Sequence, residues 1–281
     1  MNELEIVTSL KDLRTARGAL KEPVGFVPTM GFLHEGHLSL VKRACEQSAS
    51  VVVSIFVNPT QFAPTDDLDA YPRDLEHDTQ LLREAGVNLL WVPTPEEMYP
   101  PGFQTWVEAG EITKPLEGAR RPGHFRGVTT VVAKLFNAVQ PQLAFFGQKD
   151  AQQVAVIRRM VRDLNMPIEI IASPIVRERD GLAMSSRNTY LSETERQAAV
   201  VLYKSLSATQ AAYEKGERNA DKLRSIMEGI IKTEPLARPE YISCADYDSL
   251  EELGIVSGKT LLSMAVYLGS TRLIDNMVLG A

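Results

Sequence analysis

Val24-Gly25-Phe26-Val27-Pro28-Thr29-Met30-Gly31-Phe32-Leu33-His34-Glu35-Gly36-His37 runs from an apolar stretch, through two glycines, into the periodic Leu38, Leu40 and Val41. That order predicts a strand, a tight turn and a helix start. A turn of this kind offers backbone N–H groups and the positive end of a helix dipole, about half an elementary charge, to an anion. Four histidines exist in 281 residues, and two of them, His34 and His37, stand three apart here. At that spacing they share one face of a first helical turn. The plain alternative is a pair of partly exposed histidines, but an imidazolium is electrostatically unwelcome at a helix start, which favours a phosphate-facing role. Zinc is disfavoured because no cysteine and no further histidine lies near.

Outward from this stretch, apolar β-branched runs alternate with amphipathic ones. Strands are expected at Val24–Val27, Val51–Val57, Leu89–Val92, Leu143–Phe146 and Ile168–Ile171, and helices at His37–Gln47, Asp74–Glu84, Thr129–Val139 and Ala151–Leu164. The alternation implies βαβ units, an α/β domain with a doubly wound parallel sheet of Rossmann-like type over residues 1–175. After that the pattern changes. A polar loop, helices near Glu193–Lys215 and Ala220–Lys232, and strands at Tyr241–Tyr247, Thr260–Tyr267 and Leu273–Val278 imply a smaller α+β C-terminal domain over 176–281. No internal repeat and no low-complexity tract interrupts either part.

The composition is that of an ordinary globular protein, with 44% hydrophobic and 23% charged residues. A net charge of −6, from 30 basic and 36 acidic residues, argues against a nucleic-acid partner. Met1 to Leu10 carries Glu3 and Glu5 and lacks a signal-peptide core, and no window approaches the ~20 apolar residues of a membrane span. A cytoplasmic protein is therefore expected, with Cys45 and Cys244 as reduced, buried, structural thiols.

Ligands of open α/β sheets bind at the carboxyl ends of strands, and polar groups gather at those ends here. The second expected strand leads to Asn58 and Gln61, where position is the argument for binding a hydroxyl or carboxylate. The fourth leads to Gly147-Gln148-Lys149-Asp150, where a glycine admits a ligand and a lysine supplies charge; a common surface turn fits equally. Arg120-Arg121-Pro122-Gly123-His124-Phe125-Arg126-Gly127 reads as an anion-facing loop or a solvated basic turn. Asp180-Gly181-Leu182-Ala183-Met184-Ser185-Ser186-Arg187-Asn188 offers hydroxyl donors and the permanently charged fork of Arg187, or else a capped loop.

Together these stretches resemble a known family. His34-Glu35-Gly36-His37 is similar to the HxGH signature of the nucleotidyltransferase superfamily that includes class I aminoacyl-tRNA synthetases, and Met184-Ser185-Ser186-Arg187 resembles its KMSKS-type loop. More narrowly, Pro28-Thr29-Met30-Gly31 with His34 and His37, Phe146 to Asp150 with Gln153, and Asp180 to Asn188 resemble the pantoate–β-alanine ligases over essentially the whole chain. The resemblance implies ATP-dependent condensation of pantoate with β-alanine through a pantoyl adenylate, releasing pyrophosphate and AMP. It casts Met30, Gly31, Phe32, Leu33, His34, Glu35, Gly36 and His37 as the ATP site, with His37 as proton donor and His34 beside it on phosphate. Gly147, Gln148, Lys149, Asp150, Val176, Met184, Ser185, Ser186 and Arg187 complete the nucleotide contacts, with Lys149 and Arg187 as catalytic cations. Gln61 and Gln153 are cast as pantoate ligands, with Asn58, Arg121 and His124 assisting. The resemblance also implies Mg²⁺ carried mainly on the phosphates, no dedicated protein metal site, and a homodimer.

The loop departs from the wider superfamily in having Ser186-Arg187 where KMSKS carries a lysine. That argues against a tRNA ligase, as does the net acidity. An adenylyl- or cytidylyltransferase is the first rival, separated by whether AMP is released free. A non-catalytic nucleotide-binding module is the second, disfavoured because His34, His37, Lys149 and Arg187 are all present.

Overall fold

The computed structural model describes residues 4–62, 68 and 71–280. Met1 to Glu3, part of the N-terminal stretch quoted above, lie outside them. By its internal contacts the chain divides into two compact units, Met1–Gly147 with Gln152–Pro174, and Gln148–Ala151 with Ile175–Ala281.

The first unit runs β1 (Glu5–Val7), α1 (Leu10–Gly18), β2 (Val24–Thr29), α2 (Glu35–Gln47), β3 (Ser50–Ile55), α3 (Leu75–Glu84), β4 (Leu89–Trp91), α4 (Pro95–Met98), α5 (Glu117–Arg120), α6 (His124–Val139), β5 (Leu143–Gly147), α7 (Ala151–Asp163) and β6 (Glu169–Ser173). The strands form a parallel sheet in the order β1-β4-β3-β2-β5-β6. Side-chain alternation sorts each strand between two cores. Phe26, Val52, Leu89, Trp91, Ala144 and Phe146 pack with α1, α6 and α7 in one core. Val27, Val53, Leu90 and Phe145 pack with α2 and α3 in the other. Both faces are covered, so the strands read as continuous apolar runs. From β2 the chain builds outward through β3 and β4, then returns to place β5 against the other side of β2. The reversal makes the carboxyl ends of β2 and β5 the topological switch point.

The sequence missed β1 and α1. A three-residue strand leaves almost no periodicity to read, and α1 depends on its Ser9 cap, whose hydroxyl accepts from the Asp12 amide at 3.1 Å. The expected helix Thr129–Val139 begins five residues earlier, at His124, behind Gly123 with φ +82°. The Arg120–Gly127 loop reading is thereby corrected: Arg120 closes α5, while His124, Arg126 and Gly127 are helical. Cys244 is buried as expected, but Cys45 is only partly so; both are free thiols.

The second unit contains α8 (Glu193–Ala198), α9 (Val201–Glu214), α10 (Ala220–Ile231) and the antiparallel strands β7 (Ala237–Asp246), β8 (Thr260–Leu268) and β9 (Thr271–Leu279), ordered β7-β8-β9. Leu262, Met264, Val266 and Leu268 of β8 pack with Leu202 and Leu206 of α9 and Leu223, Met227 and Ile231 of α10. The expected single helix Glu193–Lys215 is two, α8 and α9. No helix among the described residues is long and apolar enough to cross a membrane.

Candidate active site

β2 delivers its chain end to a turn that only a special backbone can make. Gly31 has φ +83° and Phe32 φ +53°, both left-handed, and a Cβ on Gly31 would stand 3.1 Å from both Asp78 Oδ2 and Ile55 Cγ2. The turn is held from α3. Asp78, 1% exposed, accepts from Phe32 N at 2.8 Å and from Leu33 N at 2.7 Å, one carboxylate oxygen each. Hydrogen bonds to a charged acceptor are the strong ones, and they offset much of the cost of burying it. Sequence reasoning missed Asp78. Its trace was there, because it lies four residues before Leu82 and shares the buried face of α3 with it.

His34 is the N-cap of α2 in extended conformation, and the helix proper begins at Glu35 rather than at His37. The two histidines cap reciprocally. His34 Nδ1 accepts from Gly36 N at 3.1 Å, and His37 Nδ1 accepts from His34 N at 3.4 Å. Their ring centroids lie 4.2 Å apart, tilted 42°. A nitrogen that accepts from an amide carries no proton, so the hydrogen of each neutral ring resides on Nε2. The helix N-terminus is thus furnished with two neutral imidazole N–H donors, which avoids the misfit of a cation at the positive dipole end.

A second group gathers beyond β3. Asn58, 1% exposed, caps the short turn Pro59–Gln61. Its Nδ2 donates to Gln61 Oε1 at 2.9 Å and to Gly127 O at 3.3 Å. Its Oδ1 accepts from Thr60 N at 3.3 Å, Thr60 Oγ1 at 3.0 Å and Tyr99 OH at 2.8 Å. Burial pushes the Tyr99 hydroxyl above its ordinary value, which keeps it a donor. Asn58 was expected among the substrate contacts, but protein partners take up its amide, and its effect is to orient Gln61. Gln61 Nε2 donates to Met30 Sδ at 3.1 Å, joining this group to the β2–α2 turn. His124 Nδ1 donates to the Gln61 carbonyl at 2.9 Å, which leaves Nε2 to accept from Arg121 Nη1 at 3.3 Å. The structure therefore brings together Met30, Asn58, Gln61, Arg121 and His124, residues 94 positions apart at the extremes (124 − 30).

Gly147 ends β5 beside the switch point, and a Cβ there would meet nothing within 4 Å. Gln153 lies half-buried in the first turn of α7. Its neighbour Gln152 is an anchor, accepting from Glu117 N at 2.9 Å and donating to Pro115 O at 2.8 Å.

In the second unit, residues 176–184 fold back on themselves. Met184 N donates to Val176 O at 3.0 Å, Glu178 N donates to Leu182 O at 2.8 Å, and Arg177 bridges to Ala183. Ser185 Oγ caps the turn Ser186–Tyr190 by accepting from Arg187 N at 3.2 Å, and Arg187 itself is exposed. Gln148, Lys149 and Asp150 form a 3-10 turn that groups with this unit and not, as the sequence placed it, with the sheet domain.

A doubly wound parallel sheet with a histidine-capped helix at its switch point places the chain among nucleotide-using α/β enzymes. The sequence model of the family described as "Pantoate-beta-alanine ligase" matches residues 5–278, and the chain belongs to that family. As a member it is a ligase that joins pantoate to β-alanine with ATP. The pantothenate synthetase of Roseiflexus sp. (strain RS-1) is 58% identical over 278 residues, covering 99% of this chain and 100% of that protein. That of Carboxydothermus hydrogenoformans is 53% identical over 98% of this chain and 99% of its own length. The crystal structure of pantothenate synthetase from Thermus thermophilus superposes with TM-score 0.93 at 48% identity, covering 97% of this chain and 98% of that one. A pantoate-β-alanine ligase from Francisella tularensis, solved in complex with β-γ ATP and β-alanine, gives TM-score 0.79 at 36% identity over 98% of both chains.

Proposed function

We propose that the ligase reaction of this chain is carried by the side chains located above. In the first step a pantoate carboxylate oxygen attacks the α-phosphorus of ATP, the α–β bridging bond breaks, and pyrophosphate leaves with the electron pair. Negative charge gathers on the phosphate oxygens in the transition state. Groups that strengthen their hold there accelerate the step. His37 acts as the donor to this charge, with His34 beside it, both through Nε2–H. The reciprocal cap, which commits each Nδ1 to a backbone amide, is the observation that carries this reading.

Met30 to Gly36 line the nucleotide, with Gly147, Gln148, Asp150, Val176, Met184, Ser185 and Ser186 as further contacts; Lys149 and Arg187 are the cations on the triphosphate. Gln61 and Gln153 hold pantoate, and Arg121 and His124 keep Gln61 in place through its carbonyl. In the second step the neutral amine of β-alanine attacks the acyl carbon, the acyl–phosphate bond breaks, and AMP departs. The nitrogen loses a proton as the amide forms.

Mg²⁺ would arrive on the phosphate oxygens, where it offsets their charge. Among the described residues no group of three or more His, Cys, Asp or Glu side chains is placed to hold a metal ion, so no protein cage is assigned and none of these steps is routed through one. The chain is proposed to work in the cytoplasm as a homodimer, as the family resemblance implies. Sedimentation at twice the chain mass supports the dimer, and a single-chain mass overturns it.

The deciding experiment is pantoate-dependent exchange of labelled pyrophosphate into ATP, without β-alanine. Exchange is expected in the wild type, and His37→Ala should lower it by about 100-fold with the fold retained. Absence of exchange in protein that still binds ATP would overturn the adenylate route. Full exchange in His37→Ala would remove His37 from its role.

A further inference from the structure

β9 breaks its own alternation at Asp275-Asn276. Leu273 and Leu279 face the core, with Asp275 in the same parity, yet both Asp275 and Asn276 are buried, at 2% and 3% exposure. Two consecutive polar side chains buried on opposite faces of a strand need partners on both sides.

On the core face, Asp275 takes the Arg177 fork bidentately, Nη1 to Oδ2 at 2.7 Å and Nη2 to Oδ1 at 2.9 Å. Arg177 also donates to Gly181 O at 3.0 Å and Asn276 O at 3.3 Å, and its guanidinium lies 4.5 Å from the Tyr203 ring centroid. These bonds hold the base of the 176–184 fold-back that leads into Ser185-Ser186-Arg187.

On the opposite face, Asn276 Nδ2 donates to the carbonyls of Gln148 at 3.0 Å and Lys149 at 2.9 Å, while its Oδ1 accepts from Gln148 Nε2 at 3.2 Å. Tyr247 OH donates to Gln148 Oε1 at 3.0 Å. Burial pushes the Asp275 carboxyl above its ordinary value, with the Arg177 contacts pulling against it. Neither Asp275 nor Asn276 belongs to the expected site, and both are more expensively buried than a plain core strand requires.

We propose that Asn276 is a positioning residue for adenylate formation, fixing the Lys149 backbone to the same strand whose Asp275 fixes the Arg177 base of the Arg187-bearing loop. β9 thereby sets the spacing of the two cation-bearing segments within the second unit. The inference rests on the role given to Lys149 above. Asn276 touches no reacting atom; it acts by holding the turn that presents Lys149. A positioning fault of about 1 Å can cost about 100-fold in rate, so a buried amide far from the chemistry can matter this much.

The test is a double-mutant cycle on pantoate-dependent pyrophosphate exchange, with thermal unfolding as the control for folding. Lys149→Ala should reduce exchange by about 100-fold and Asn276→Ala by about 10-fold, with KM for ATP rising more than KM for pantoate. Because Asn276 acts through the Lys149 turn, the double variant should fall no more than about threefold below Lys149→Ala alone. Asn276→Asp, which sets carboxylate oxygens against two carbonyls, should be worse than Asn276→Ala. Tyr247→Phe removes one hydroxyl and keeps the ring; it should lower exchange about threefold in wild-type background and leave Lys149→Ala unchanged. That variant decides the matter if the Asn276 variants do not fold. A fully multiplicative loss in the double variant, or wild-type exchange in Asn276→Asp, overturns the positioning role while leaving Lys149 in place. Wild-type exchange in Lys149→Ala overturns the assignment of Lys149 itself and this inference with it.

Discussion

Asp78→Asn is the sharpest perturbation of the histidine turn, because it keeps the side-chain shape and changes only what the turn amides see. The carboxylate accepts from two consecutive amides, at 2.8 and 2.7 Å, in a site 1% exposed. An asparagine can offer its oxygen to one of them and must point its own NH₂ at the other. One charge-assisted bond of about 1.5–3 kcal/mol is lost and a second is weakened to neutral strength. Against this, asparagine removes the cost of burying a charge, so the net destabilisation falls to about 1–3 kcal/mol. Asp78→Ala leaves Phe32 N and Leu33 N both unsatisfied and should cost about 3–5 kcal/mol. The backbone concerned already holds Gly31 and Phe32 in the left-handed region, so loosening it displaces the cap residue His34 directly. Denaturant unfolding gives the stability change, and pantoate-dependent pyrophosphate exchange gives the functional one, expected to fall about 10- to 100-fold for Asn. Wild-type exchange together with a stability loss below about 0.5 kcal/mol in Asp78→Asn would refute the claim that this carboxylate sets the turn.

Other outcomes follow from the same geometry. Gly127→Ala places a Cβ 2.4 Å from the Thr60 carbonyl oxygen and 2.8 Å from Gln61 N, both backbone atoms; it should cost about 3 kcal/mol and raise KM for pantoate, read by unfolding and steady-state kinetics. The Arg196 hydrogen bond holds the Asp180 carboxyl below its ordinary value. A depressed native value contributes stability that is fully present above the unfolded value, near pH 4, and is lost as pH falls through the lower native one, so Asp180→Asn should flatten the acid limb of the stability curve below about pH 5. A limb as steep as wild type would show that the pair is not responsible. Burial pushes the Cys244 thiol up to about 11, and a thiol reagent at neutral pH should therefore modify it only after unfolding.

Much of the fold was legible because burial on both faces leaves its mark locally. Val51-Val52-Val53 reads as an interior strand of a covered sheet, and Thr29 to His37 announces a turn and a helix start within nine residues. Asn58 and Gln61 were legible by position at a strand end, but not the division between them, since Asn58 becomes a hub only when Tyr99 and Gly127 arrive. Asp78, Arg177, Asp275 and Asn276 were not picked out at all. Each acts through hydrogen bonds to backbone or side chains 45 to 128 positions away, and such bonds leave no periodicity.

The sequence by itself determined the parallel α/β architecture, the family resemblance and the candidate residues for the chemistry, because periodicity and short motifs are local properties of a chain. Only the tertiary structure decided how those residues are set. It committed each histidine Nδ1 to the helix cap, held the turn from α3, and grouped the Lys149 turn with β9 across 127 positions. The reason is physical: a buried polar group must find a partner wherever the fold supplies one.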